Sequence, residues 1–398
     1  MTPTTTLIRP EGEKLFTVAQ ELALTRARYD RAPSPDLRER LTRLLLLDEG
    51  FGEAIALLEP CADRSFGEEI MLSQAYLAAE TAADSVKAGA CAARAERLAR
   101  SDPERAAALA ARGKAETRLG RSESARATLL EALALDPANK DACKRLAALD
   151  LAAGATAEVL ALTDALLERG GGHARLFAAR ALAQARAGDG AAARATMGAE
   201  LHFAETLPPP PGWDSIEAFN AALAAELLAH PGMRWERYGS ASQATWRIEA
   251  PSRPDTPLFR VLIEQIIAAV GRAGEIAAQS DHPWAKTRPA EAFLRNWCVI
   301  TESDGFETWH VHQFGWLSGV YYVQVPDSIA QGTDRAGCLA FGLPDDLAGA
   351  EGSAAYGEEL VRPQPGLFLA FPSHAYHRTY PHGTGERRIC VAFDVRPL

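Results

Sequence analysis

The sequence predicts a two-part chain, an all-α array of helical repeats followed by an α+β domain whose strands form a small antiparallel barrel or jelly roll. Three observations predict it. Gly120, Gly154 and Gly188 recur every 34 residues between helix-forming segments, four consecutive prolines interrupt the chain in LPPPPGW (Leu207–Trp213), and five short β-rich runs follow residue 292. The expected boundaries are 1–206 for the repeats, 207–214 for a Pro-rich linker and 215–398 for the second domain.

Composition sets the class. Of the 398 residues 47% are hydrophobic and 24% charged, which suits a folded globular chain rather than a disordered one. The formal net charge of −10 excludes a nucleic-acid surface as the main business, because phosphate contacts need clustered Lys and Arg. The six cysteines (61, 91, 143, 298, 338, 390) form no C-x-x-C pair, so they read as small buried hydrophobes in a reducing compartment. The N-terminal MTPTTTLIRPEGEK has no apolar run behind a basic start, and no stretch reaches the roughly 18 apolar residues of a membrane span. A cytoplasmic location without a membrane partner is expected.

In the first half, residues 11 to about 200 are rich in Ala, Leu, Arg and Glu, with apolar spacing suited to amphipathic helices. The 34-residue period is that of tetratricopeptide repeats, and TRLGRSESARATLLEALALDP resembles them in detail. Gly113, Ala125, Leu129, Ala132 and Pro137 stand where that family needs small or apolar residues or a helix stop, and Val159 and Ala193 hold the small-residue crossing point of later repeats. About five helix pairs are expected. One pair cannot bury its apolar face alone, so neighbours stack into a continuous core with a concave surface that suits a peptide or protein partner. The blander role is to stiffen the chain or to make a homodimer.

The prolines of 207–214 supply no backbone donors and fix φ, ending the array. Beyond them DSIEAFNAALAAELLAHPG and PLFRVLIEQIIAAVGRAGEI read as helices and SQATWRIE as a strand. NWCVIT, SGVYYVQV, GCLAFG, GLFLAF and RRICVAFDV read as the five strands of the barrel.

Five of the nine histidines fall between positions 310 and 382. His310 and His312 are two apart, which on a strand puts both on one face, and His377 lies in a later β-rich run. A double-stranded β-helix builds an open, facial iron site from such a pair and one distant histidine. Eleven residues on, Arg388 offers a permanently charged fork for a carboxylate.

These runs resemble the 2-oxoglutarate-Fe(II) oxygenases whose pattern is H-x-H, SGVYYV, FPS, His and R-I. Here it is carried by His310-Val311-His312, Ser318–Val323, Phe371-Pro372-Ser373, His377 and Arg388-Ile389. The resemblance covers roughly 215–398. It implies an Fe(II) and 2-oxoglutarate dioxygenase that hydroxylates a C–H bond, with His310 and His377 as iron ligands and Arg388 on the keto acid's distal carboxylate. His312 stands where many members have Asp or Glu. Either three imidazoles hold the iron, or His312 lies just outside and two suffice, as in the aspartyl/asparaginyl hydroxylases that also carry tetratricopeptide repeats; strand geometry favours His312 as the third ligand.

Tyr322 keeps the even parity of the two histidines and resembles the tyrosine that assists the arginine in prolyl-hydroxylase-like enzymes; its blander role is core packing. Ser318 and Gln324 share its face, with Ser318 the second candidate beside the co-substrate. His374 and His382 read as solvated or supporting imidazoles, Trp309 and Trp316 as packing or substrate mouth. A peptide or protein side chain is the expected substrate and a free amino acid or other small molecule the runner-up. The competing classes are a three-His cupin-type dioxygenase that uses no keto acid, and a repeat scaffold without catalysis.

Overall fold

The structure is a computed structural model that describes residues 5–236 and 239–398. The chain divides into two compact units, Phe16–Gly171 and Met1–Leu15 together with Gly172–Leu398.

The first unit is all α. Its helices span Val18–Arg31, Pro35–Leu47, Phe51–Leu58, Phe66–Ala78, Ala82–Leu98, Asp102–Arg118, Ser122–Leu135, Lys140–Ala152 and Thr156–Glu168. Side-chain caps fix many starts, as where Ser65 accepts from the Glu68 amide while the Glu68 carboxylate accepts from the Ser65 amide. Gly113 sits where a Cβ would lie 2.7 Å from the Leu129 side chain, so the small residue lets two helices approach. The 34-residue glycines have a backbone cause. Gly120, Gly154 and Gly188 all take left-handed φ (71°, 76°, 84°) just past a helix end, where any other L-residue is strained.

The third of these glycines belongs to the other unit. There the hairpin Ala174–Arg186 and Gly190–Met197 packs on the short helices Asp345–Ala348 and Ala350–Tyr356. The contact is backbone-close, since a Cβ on Gly190 would stand 2.6 Å from the Ala355 carbonyl oxygen. The Pro-rich run also lies inside this unit, because Phe203–Thr206 before it already pairs with the chain near Leu369.

The β framework comprises β1 (Leu7–Pro10), β2 (Phe203–Thr206), β3 (Met233–Trp235), β4 (Ser242–Ile248), β5 (Glu291–Glu307), β6 (Leu317–Gln324), β7 (Leu339–Phe341), β8 (Glu359–Val361), β9 (Leu367–Pro372), β10 (His377–Thr379) and β11 (Arg388–Pro397). The large sheet runs β2-β9-β6-β11-β5-β4-β3, with β1 added parallel to β5, and the small sheet runs β10-β7-β8. Leu339 and Phe341 of the small sheet share one core with Val320, Tyr322, Leu369 and Phe371 of the large one, the two-sheet packing of a jelly roll. All five β-runs expected from sequence are strands. The helices Ile216–Leu228 and Pro257–Ala277 stand where their apolar stripes predict them. Among the described residues no helix is long and apolar enough to cross a membrane.

Candidate active site

His310 and His312 differ from expectation in their backbone. They are not on a strand: His310 forms an isolated antiparallel bridge with His377, donating its amide to the His377 carbonyl (3.0 Å) and accepting in return (3.1 Å), and the His312 amide donates to the Ser373 carbonyl (2.9 Å). The extended segment nevertheless keeps the alternation of a strand, so the two imidazoles share a face with that of His377.

Each imidazole is oriented by its Nδ1. That of His310 donates to the Thr308 carbonyl (2.7 Å), that of His377 to the Ala375 carbonyl (2.9 Å) and that of His312 to the Asp394 carboxylate (2.5 Å). With Nδ1 protonated in all three, every Nε2 is left with a lone pair, and the ligand atoms of the trio lie within 4.8 Å of one another. The Nε2 atoms of His310 and His312 stand only 3.2 Å apart, two lone pairs facing each other. That contact is repulsive unless a cation lies between them. Two nitrogens bound at right angles to one ion, with bonds of about 2.1 Å, would be separated by about 3 Å. Burial pushes His310 down to about 3 and His377 well below the usual histidine range, aided by the neighbouring imidazoles, so both are neutral and ready to coordinate.

A cavity of about 230 Å³ opens beside the trio and reaches Arg388, Thr379 and Tyr322. Arg388 is buried at 2% exposure, with Nη1 donating to the Gly337 carbonyl (2.7 Å) and Nη2 to the Thr379 hydroxyl (3.4 Å). Its Nε has no partner, and among the described residues no carboxylate pairs with it. Glu307 on the same wall is engaged by Ser242 (2.6 Å) and Arg247 (3.7 Å), and a buried guanidinium without a bonded carboxylate is costly, so the cavity fits an acidic ligand. Its neighbour Arg387 points away, to Glu302 on the exposed side (2.6 Å).

Tyr322 lines the cavity wall, and its hydroxyl, raised above the ordinary tyrosine range by burial, stays protonated. Ser318 departs from its expected place beside the co-substrate. It donates to Asp394 (2.8 Å) and contacts the Ser373 hydroxyl (2.6 Å), behind His312 rather than in the cavity lining. Gln324 reaches the Arg387 carbonyl instead of the interior.

The remaining candidates serve packing or support. Trp316 stacks on Trp284 at 4.6 Å, and Trp309 packs on Gly342. His374 is not solvated: it is buried, with Nε2 on the Thr196 carbonyl (2.9 Å), and His382 meets the Thr301 hydroxyl (3.3 Å). Residues that sequence reasoning missed are Thr379, Asp394 and the buried pair Arg247 and Glu307 on the cavity wall. Asp394 was legible in principle, since 388, 390, 392, 394 and 396 share one face of β11.

Residues 295–394 match the family described as "Putative 2OG-Fe(II) oxygenase". Among solved structures the chain is similar to a Pseudomonas putida prolyl-4-hydroxylase (15% identity, 51% of this chain and 98% of that one, TM-score 0.33). It is also similar to a prolyl hydroxylase from Trichoplax adhaerens (10% identity, 51% and 88%, TM-score 0.35) and to a thermophilic tetratricopeptide protein from Thermus thermophilus (26% identity, 38% and 82%, TM-score 0.32). No curated protein matches the chain in sequence. The match to the 2OG-Fe(II) oxygenase family, whose description names ferrous iron and 2-oxoglutarate, thus covers residues 295–394, and a tetratricopeptide-like helical array precedes it in sequence.

Proposed function

We propose that the chain hydroxylates a C–H bond on a peptide or protein side chain, with the helical repeats recruiting that substrate. The carrying observation is that one cavity holds three convergent imidazole lone pairs and a buried guanidinium to which no carboxylate of the described residues is bonded. His310, His312 and His377 hold the iron through Nε2, and Arg388, braced by Thr379 and Gly337, grips the distal carboxylate of the keto acid. Tyr322 lies on the same wall and donates its hydroxyl proton to that ligand.

Bound together, ferrous iron and 2-oxoglutarate supply the oxidant for C–H hydroxylation, consuming O₂ and releasing succinate and CO₂. The protein's share is to keep His310 and His377 neutral, to orient all three imidazoles, to neutralise the dicarboxylate, and to exclude water with the apolar wall of Val320, Leu339 and Phe371. A keto-acid-free dioxygenase or an inert scaffold would have no use for a carboxylate-free guanidinium buried in the site, so Arg388 favours the keto-acid reading. The peptide preference rests on the stacked helix pairs and on Phe314, an aromatic 49% exposed at the cavity rim.

Anaerobic Fe(II) titration of the full chain tests the site. A weak visible charge-transfer band should appear only when 2-oxoglutarate is added and should vanish in His377→Ala; a wild-type chain without the band refutes the assignment. Succinate release measured over peptide libraries tests the substrate. Stimulation by free amino acids alone would replace the peptide reading with the small-molecule one.

A further inference from the structure

Imidazole ligands bring no negative charge to a divalent cation, and the surroundings of the trio are not alike. His310 and His377 rest their Nδ1 atoms on backbone carbonyls, whereas His312 rests on a carboxylate. Asp394 is 2% exposed and fixed from three sides. Its Oδ1 accepts from His312 Nδ1 (2.5 Å) and the Ser318 hydroxyl (2.8 Å), and its Oδ2 from Arg396 Nε (3.2 Å) and Nη2 (3.0 Å). A buried carboxylate needs such company, because its isolated burial would cost several kcal/mol.

The arrangement does more than anchor Asp394. A carboxylate that accepts from Nδ1 draws that proton toward itself and leaves Nε2 richer in electron density, so the imidazole becomes the stronger metal donor. We propose that Asp394 is a positioning residue of the iron site, acting through His312 to supply from one residue away the negative charge that a carboxylate ligand would bring directly. The inference rests on the assignment of the three imidazoles as ligands. Ser318 holds the carboxylate in register with the ring, and Arg396 balances its charge from the cavity rim, where its guanidinium also lies 5.3 Å over the Phe314 ring.

Cobalt(II), titrated anaerobically into the full chain and followed by its visible d–d bands, separates this inference from the ligand assignment. Asp394→Asn should weaken cobalt binding by about 10- to 100-fold and shift the bands. In a His312→Ala background the same change should alter affinity less than about twofold, because the relay is already cut. Wild-type binding with an unchanged Asp394→Asn, or an equal loss in the His312→Ala background, overturns the inference alone. A wild-type chain that takes up no cobalt overturns the ligand assignment and the inference with it. Should Asp394→Asn fail to fold, the three single histidine variants decide. His312→Ala should cost more affinity than His310→Ala or His377→Ala, and equal losses would overturn the proposal.

Discussion

Arg38 of the helical unit and Arg388 of the β unit are both buried, and their partners differ. In the helical unit the Arg38 side chain, 10% exposed, meets Glu68 in a bidentate pair (2.6 and 3.0 Å), with Asp63 3.3 Å away and Glu68 also capping its own helix through Ser65. In the β unit Arg388 is buried as deeply, yet its Nε is left without a partner. Under the proposed function the open Arg388 guanidinium is the place of the keto acid's distal carboxylate, whereas the Arg38 charge is neutralised within the fold.

The contrast is broken most severely at Glu68. Glu68→Ala strands the Arg38 guanidinium and removes a helix cap, and should cost about 3 kcal/mol or more. All seven tryptophans lie in Gly172–Leu398, so far-UV circular dichroism in urea follows mainly the helical unit while tryptophan fluorescence follows the β unit. Cobalt affinity of the folded variant should be unchanged. A loss of metal binding without a loss of helix stability would contradict the division of labour.

Arg388→Met should do the reverse. Charge-assisted hydrogen bonds to a carboxylate contribute about 1.5–3 kcal/mol, so 2-oxoglutarate should bind on the order of 10- to 150-fold more weakly. The ligand-free chain should melt no lower than the wild type, because a buried charge without a counter-ion has been removed. Calorimetry with 2-oxoglutarate and a thermal melt of the same sample measure both quantities, and a lower melting point with intact binding would make Arg388 a structural residue.

Acid separates the units again. All nine histidines lie in Gly172–Leu398. Burial, with His282 stacked at 5.7 Å, pushes His374 from 6.5 down to about 3. Between those values the unfolded chain binds the proton more readily than the folded one, so this stabilisation is complete above pH 6.5 and lost as pH falls toward 3. In metal-free protein the fluorescence-detected transition should weaken across that window, and His374→Gln should flatten its slope. An unchanged slope would show that other groups govern the acid response.

What could be read from the sequence follows from the range of the interactions involved. Helix pairs, the period of 34 and the five barrel strands were legible because they depend on local spacing and backbone conformation. So was the convergence of His310, His312 and His377, because H-x-H and its distant partner keep fixed chemistry. The fate of Ser318 was not legible: parity put it on the inner face, but whether it meets a ligand or Asp394 depends on β11 lying beside β6, a pairing of Ser318 with Asp394 across 76 positions. The strands β1 and β2 escaped for the same reason, being four-residue segments that become strands only by pairing with β5 and β9. The unit division escaped because Gly188 repeats the local signal of Gly120 and Gly154, while the packing of its hairpin on the helices at 345–356 is tertiary.

The smallest effect tests where that local signal comes from. Gly154 lies in the helical unit and Gly188 in the β unit, both have left-handed φ, and a Cβ at either would meet nothing within 4 Å. If the period records backbone conformation alone, Gly154→Ala and Gly188→Ala should each cost about 1 kcal/mol, the cost of a left-handed L-residue, regardless of what the neighbouring helices pack against. Far-UV dichroism should register the first loss and tryptophan fluorescence the second. Unequal costs would mean that the glycines were selected for packing as well, and that the resemblance between the hairpin at 174–197 and the repeats before it reaches beyond the turn.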